Sequence, residues 1–192
     1  MKQLVMEART AERAAERALP DGYVYESFDG SPRDIADWKA ITMEPPALAY
    51  DYDTCYREDI EHYPDCIPTR DVHFISDVSG ARVATITTIT HADGSGYVHM
   101  VKALAREQGR GLGHSMARYA LRIFAERGVE RVVLTTDDFR LSAIKTYLDA
   151  GFRPVIVEDP ASDMNARWDS VLNALNYADV PRIVRLAGGE SV

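Results

Sequence analysis

Residues 106–116 read REQGRGLGHSM, and three glycines alternate in it: Gly109, Gly111 and Gly113. Glycine has no Cβ, so a ligand can approach the backbone closely and φ can turn positive. Helical spacing of Leu112, Met116, Tyr119, Ala120 and Ile123 begins at the same place. The loop therefore delivers its amides to a helix N-terminus. There the first N–H groups have no intrahelical acceptor and the helix dipole is positive. Arg110 adds a charge. Such a loop suits a phosphate or diphosphate.

Two phosphate-loop chemistries compete with a ligand-free tight turn. A P-loop requires GxxxxGK[ST], and the chain has no such string. A dinucleotide fingerprint requires GxGxxG, whereas GRGLGH carries its third glycine one place early. Asp137, at the end of the next strand, keeps a nicotinamide dinucleotide as an alternative.

Histidine, tyrosine and aspartate are the residue types in the flanking elements that can exchange protons. His99 lies in the run YVHMVKAL (97–104), with an imidazole suited to a base near neutral pH. Tyr147 lies in AIKTYLDAGF (143–152); it shares an apolar stripe with Ile144 and Leu148, so it could equally be core. Asp137 is a further base or substrate anchor. His62, His73 and His91 have no metal-ligand spacing, and no metal is expected.

The elements that must position these groups follow from periodicity. An alanine-rich helix is expected over about 9–19, ended by Pro20-Asp21-Gly22, which makes 1–20 an N-terminal helical extension and 21–192 a single domain. A strand is expected at 23–28. A helix starts at Ser31-Pro32, with Ile35, Trp38 and Ile41 as its buried stripe, and Pro45-Pro46 breaks it. The tyrosine-rich stretch 47–69 reads as a short helix and loop. Strands 72–78, 81–90 and 97–104 form an antiparallel meander. After the glycines come a helix to Arg127, a strand at 131–136, a helix from about 140 to 150 capped by Gly151, and a strand at 152–158. Met164, Trp168, Val171, Leu172 and Leu175 mark a last helix. The result is an α/β (α+β) fold: a mixed sheet with helices on both faces.

The loop and helix together resemble the GNAT superfamily of acyl-CoA-dependent N-acetyltransferases. Gln108-Gly109-Arg110-Gly111-Leu112-Gly113 is similar to the family's Gln/Arg-x-x-Gly-x-Gly/Ala loop, and Ala143 to Phe152 is similar to its A-I-x-x-Y-x-x-x-G-F string. The likeness covers about residues 70–158. It implies a mostly antiparallel sheet of about six to seven strands. It also implies that the backbone of Val101, Lys102 and Ala103 pairs with the pantetheine arm of acetyl-CoA. The amides from Gly109 to His114, flanked by Gln108, would hold the diphosphate, and Tyr147 would protonate the departing thiolate. Two departures stand out: Thr135 where some members carry a glutamate, and Arg140 where asparagine is common. Arg140 could reach the cofactor. A non-catalytic acyl-CoA-binding module on the same fold is the alternative from another class.

Composition narrows the partners. The chain has 192 residues, 46% of them hydrophobic, and a net charge of −8, which disfavours nucleic acid. Between Glu44 and Asp71 the acids Asp51, Asp53, Glu58, Asp59, Glu61 and Asp65 face only Arg57 and Arg70. Such a field would attract a cationic amine of a small molecule or peptide. No apolar run reaches the ~20 residues of a membrane span, and the charged N-terminus has no signal-peptide core. A cytoplasmic protein without a membrane partner is expected, with Cys55 and Cys66 as free thiols. Exposed sheet edges would permit a homodimer.

Overall fold

The computed structural model describes residues 3–44, 51–158 and 162–186. Pro45-Pro46 and the first residues of the tyrosine-rich stretch lie outside them. Eight strands form one sheet in the order β2-β3-β4-β5-β6-β1-β7-β8. They are β1 (Leu4–Arg9), β2 (Val24–Ser27), β3 (Val72–Ser76), β4 (Arg82–Thr90), β5 (Gly96–Ala103), β6 (Arg131–Thr136), β7 (Arg153–Glu158) and β8 (Ile183–Leu186). All neighbours are antiparallel except β5 with β6 and β7 with β8. The helices, on both faces, are α1 (Pro32–Thr42), α2 (Tyr52–Tyr56), α3 (Pro68–Asp71), α4 (Leu112–Glu126), α5 (Leu141–Ala150) and α6 (Met164–Leu175).

The sheet has one strand more than the upper expectation, and the N-terminus explains part of it. The helix expected over 9–19 is absent. Leu4–Arg9 is a strand hydrogen-bonded on both sides, to β6 and to β7. Leu4, Met6 and Ala8 are buried with a period of two, and Glu7 is buried as well, held by Arg131 Nε at 2.9 Å and by Arg185. A 3₁₀ turn, Thr10–Glu12, follows, and residues 13–20 then run without regular structure. Tertiary contacts satisfy their backbone instead: Ala14 N–H donates to Ala150 O at 3.3 Å, and Ser115 Oγ donates to Ala18 O at 3.0 Å. These contacts override alanine's helix propensity. The N-terminal residues are therefore part of the sheet and not a helical extension. The strand β8 has no counterpart among the expected elements.

Local signals place the other ends as expected. Ser31 caps α1 by accepting from Asp34 N–H, and Gly151 closes α5 in the left-handed region. Asp138, two residues before the Arg140 N-cap of α5, accepts a hydrogen bond from Arg167 Nε at 2.8 Å. Trp38, Phe74, Phe124, Phe152 and Trp168 anchor the core. Cys55 and Cys66 are free thiols.

Two irregularities shape the centre of the sheet. Strands β5 and β6 are registered only at Gly96–Val132 and Tyr97–Val133. Within β5, Thr87 faces His99 but Thr85 faces Lys102, so Met100 and Val101 share one partner position on β4. Met100 has φ 48°, rare for a residue other than glycine. This is a β-bulge, which bends the strand and releases a residue from ladder pairing.

Candidate active site

A cleft of 690 Å³ opens beside the bulge, lined by β5, the glycine loop, the first turn of α4 and the start of α5. Nearly all the residues expected at a cofactor meet in it: Val101, Lys102, Ala103, Gln108, Gly109, Arg110, Gly111, Leu112, Gly113, His114, Arg140 and Tyr147. His99 is not among its lining residues.

The three glycines divide the work. Gly109 (φ 78°) and Gly111 (φ 88°) take left-handed backbone, and Gly111 is the N-cap of α4. Nothing lies within 4 Å of where a Cβ on Gly109 would be. Gly113 is ordinary helix, and a Cβ there would meet Thr146 Cγ2 at an ordinary 3.6 Å. The first amides of α4 thus face an open cradle that a diphosphate fits.

Arg17 is among the lining residues that were not expected. Arg17, from the irregular crossing segment, brings Nη2 to 3.1 Å from a Cβ position on Gly111. It is exposed, and no carboxylate pairs with it among the described residues. No sequence signal marks Arg17, because only the path of residues 13–20 across α4 brings it there.

The other charges are partly engaged. Arg110 pairs with Glu107 at 3.4 Å and donates to Tyr23 Oη at 3.3 Å. Arg140 pairs with Asp137 at 3.0 Å and lies over the exposed Phe139 ring. Lys102 turns its ammonium away, onto the Thr42 carbonyl at 3.0 Å and the Glu44 carbonyl, so its backbone is what the cleft receives. His114 Nε2 stands 3.1 Å from Asp149 Oδ2. Burial acts to raise the Asp149 carboxyl. Hydrogen bonds from Lys145, Tyr177 and His114 outweigh it and bring the group down to about 2.

Tyr147 is half-buried, with its ring edge-on to Phe152 at 5.8 Å. Burial pushes its phenol up to about 12, and nearby Arg140 opposes the shift. The hydroxyl keeps its proton at neutral pH and is a hydrogen-bond donor.

His99, also on β5, is engaged outside the cleft lining. Its Nε2 bonds the Asp59 carbonyl at 2.9 Å, and its ring packs on Tyr63 at 4.2 Å. Burial lowers its pKa to about 4, so it is neutral at pH 7. Tyr63 stacks on Tyr97, whose hydroxyl bonds Thr135 Oγ1 at 2.9 Å across the splayed strands. Thr135 is thus a structural partner of Tyr97. Asp137 is held by Arg140 and by Gln3 at 3.2 Å. The acidic stretch arrives here through a π turn, Arg57–Glu61, that lays Asp59 and Tyr63 over β5.

The backbone of Val101 to Ala103, the glycine loop on a helix N-terminus and the Tyr147 phenol line one cleft, and a protein-family model for the acetyltransferase (GNAT) family matches residues 33–152. The chain belongs to the GNAT family. Enzymes of this family pass an acyl group from acyl-CoA to an amine. Solved structures agree on the fold. A GCN5-related N-acetyltransferase from Sphaerobacter thermophilus is 18% identical with a TM-score of 0.61, the match covering 80% of this chain and 49% of that one. One from Kribbella flavida is 20% identical, TM-score 0.56, over 86% and 61%. The ribosomal-protein-S18-alanine N-acetyltransferase of Escherichia coli is 17% identical, TM-score 0.52, over 66% and 74%. This GNAT chain therefore spans about half to three-fifths of the first two relatives. A search of curated proteins finds no match.

Proposed function

We propose that this chain moves the acetyl group of acetyl-CoA to a primary amine of a small molecule or peptide, by direct attack in a ternary complex, in the cytoplasm. The observation that carries the reading is the meeting of the β5 bulge, the glycine cradle and Tyr147 in one 690 Å³ cleft. Acetyl-CoA supplies the thioester: the neutral amine nitrogen forms a bond to its carbonyl carbon, the C–S bond breaks, the sulfur leaves with the electron pair, and the extra proton on the nitrogen passes to water.

The chain's residues have separate parts in this. The amides of Gly109 to His114, with Arg17 and Arg110, hold the diphosphate. The backbone of Val101, Lys102 and Ala103 aligns the pantetheine arm as an added strand, and the bulge offers an amide near Val101 to the developing oxyanion. Tyr147 donates its hydroxyl proton toward the leaving sulfur. Phe139 and Arg140 border the cofactor. His99 holds the Asp59–Tyr63 loop against β5, a positioning role, since a group titrating near 4 is a weak base at pH 7. The carboxylates and tyrosines of that loop favour a cationic acceptor.

The test is calorimetric titration with acetyl-CoA, CoA and NADH, followed by thiol-release assays across an amine panel. Acetyl-CoA binding with amine-dependent release of CoA supports the transferase. CoA binding without turnover on any amine favours the binding module, and NADH binding alone would discard both.

A further inference from the structure

Beside the cofactor cleft lies a second cavity of 290 Å³ that the proposed reaction does not use. Arg13, Ala14, Ala15 and Glu16 of the crossing segment form one wall, and Arg118 and Arg122 of α4 form the other. Arg122 is matched by Glu16 at 3.1 Å and by Glu126. Arg13 and Arg118 are not matched. Arg13 Nη1 donates to the Thr10 carbonyl at 2.8 Å and Arg118 Nη2 to the Asp149 carbonyl at 3.1 Å. Among the described residues no carboxylate pairs with either. The Nε of Arg118 is buried without a hydrogen-bond acceptor.

This is unusual for the chain. Its net charge is −8, and most of its arginines hold a carboxylate. A buried N–H without an acceptor carries a desolvation penalty. Guanidinium groups that converge on a small cavity match the oxygens of a phosphate, which they can bind through paired N–H donors. The cavity also adjoins the diphosphate cradle. Arg118 lies one helical turn beyond His114, and Arg17, next in sequence to Glu16, lines the cradle itself. That step is roughly 6 Å along the helix.

We propose that Arg13 and Arg118, with Arg122 beside them, form a site for a phosphate monoester. Its nearest source is the ribose 3′-phosphate of CoA, an assignment that rests on the acyl-CoA reading above. A free phosphate-bearing ligand has the same chemistry and would use the same groups.

The experiment is calorimetric titration of the full chain with CoA, 3′-dephospho-CoA and inorganic phosphate, in wild type and in Arg13→Gln, Arg118→Gln and Arg118→Lys. Thermal melting checks that each variant is folded, and the lysine variant retains a charge should the glutamine variant fail to fold. Wild type is expected to bind CoA roughly 10- to 100-fold more tightly than dephospho-CoA. Arg118→Gln should lower CoA to the dephospho-CoA level and leave dephospho-CoA unchanged. Equal binding of the two, together with inorganic phosphate binding that Arg13→Gln or Arg118→Gln abolishes, assigns the site to a free ligand. Equal binding with no arginine-dependent phosphate binding overturns the site. Failure of CoA to bind at all overturns the acyl-CoA reading, and the phosphate titration then decides the site alone.

Discussion

Arg17 lies against Gly111, its Nη2 3.1 Å from the point a Cβ would occupy, although the two residues belong to unrelated parts of the sequence. An alanine at 111 would meet that guanidinium and would also be forced to keep φ near 88°. We expect Gly111→Ala to cost about 1–2 kcal/mol of stability and to weaken CoA binding. Gly113→Ala should do the opposite for the fold, since its Cβ meets Thr146 at ordinary contact and alanine gains up to about 1 kcal/mol over glycine in a helix. Melting curves and CoA titrations of the two variants provide the comparison. Equal behaviour would remove the distinction drawn between the two glycines.

Tyr147 lines the cleft with a phenol that stays protonated. Tyr147→Phe is expected to lower kcat by roughly 10²-fold or more, the range of general acid catalysis, with CoA affinity nearly unchanged. A variant with wild-type kcat would assign the tyrosine to packing against Phe152.

His99→Gln separates positioning from catalysis. With a pKa of about 4, His99 does not change charge between pH 6 and 8. The pH–rate profile in that interval should therefore keep its shape in the variant, while the KM for the amine rises as the Asp59 and Tyr63 loop loosens. A lost ionisation in that profile would restore His99 as the base.

Acid stability follows from two buried imidazoles. His73 is wedged between Tyr119 and Thr88, and burial lowers its pKa to about 4, as it does for His99. Both folded values lie below the ordinary 6.5, so the unfolded chain binds more protons between pH 6.5 and 4. Stability falls as pH falls through that window, by at most about 3 kcal/mol per group. Urea denaturation at pH 4.5 and 7 should show a smaller difference in His73→Gln than in wild type. An unchanged difference would mean that His73 is not among the groups responsible.

Gly96 begins β5 where it pairs with both β4 and β6, and a Cβ there would stand 2.8 Å from the Phe124 ring. Gly96→Ala should cost about 1–3 kcal/mol by overpacking, lowering the melting temperature by about 2–10 °C. A variant that melts like wild type would show that the ring can yield.

The site was legible where its signals are short. The glycine loop, the helical stripe after it and the A-I…Y…G-F string each fit within one turn or one element, so residue type and spacing suffice to read them. His99 was placed on the correct strand, but its contacts were not readable. Asp59 and Tyr63 reach it through a π turn whose position over β5 depends on the whole acidic segment. The bulge at Met100 leaves no mark in YVHMVKAL, because it exists only relative to the partner strand.

By itself the sequence determined the local elements from Val72 to Phe152 and many of the residues that line the 690 Å³ cleft, because caps, periodicity and turn chemistry act over a few residues. Tertiary structure alone decided that Leu4–Arg9 is a strand buried within the sheet, since its partners, β6 and β7, lie more than a hundred residues away. It also decided that residues 13–20 cross α4, placing Arg17 against Gly111 and Arg13 across a cavity from Arg118. Alanine's helical preference is worth a fraction of a kcal/mol per residue, and the tertiary hydrogen bonds made by the backbone of Ala14 and Ala18 outweigh it.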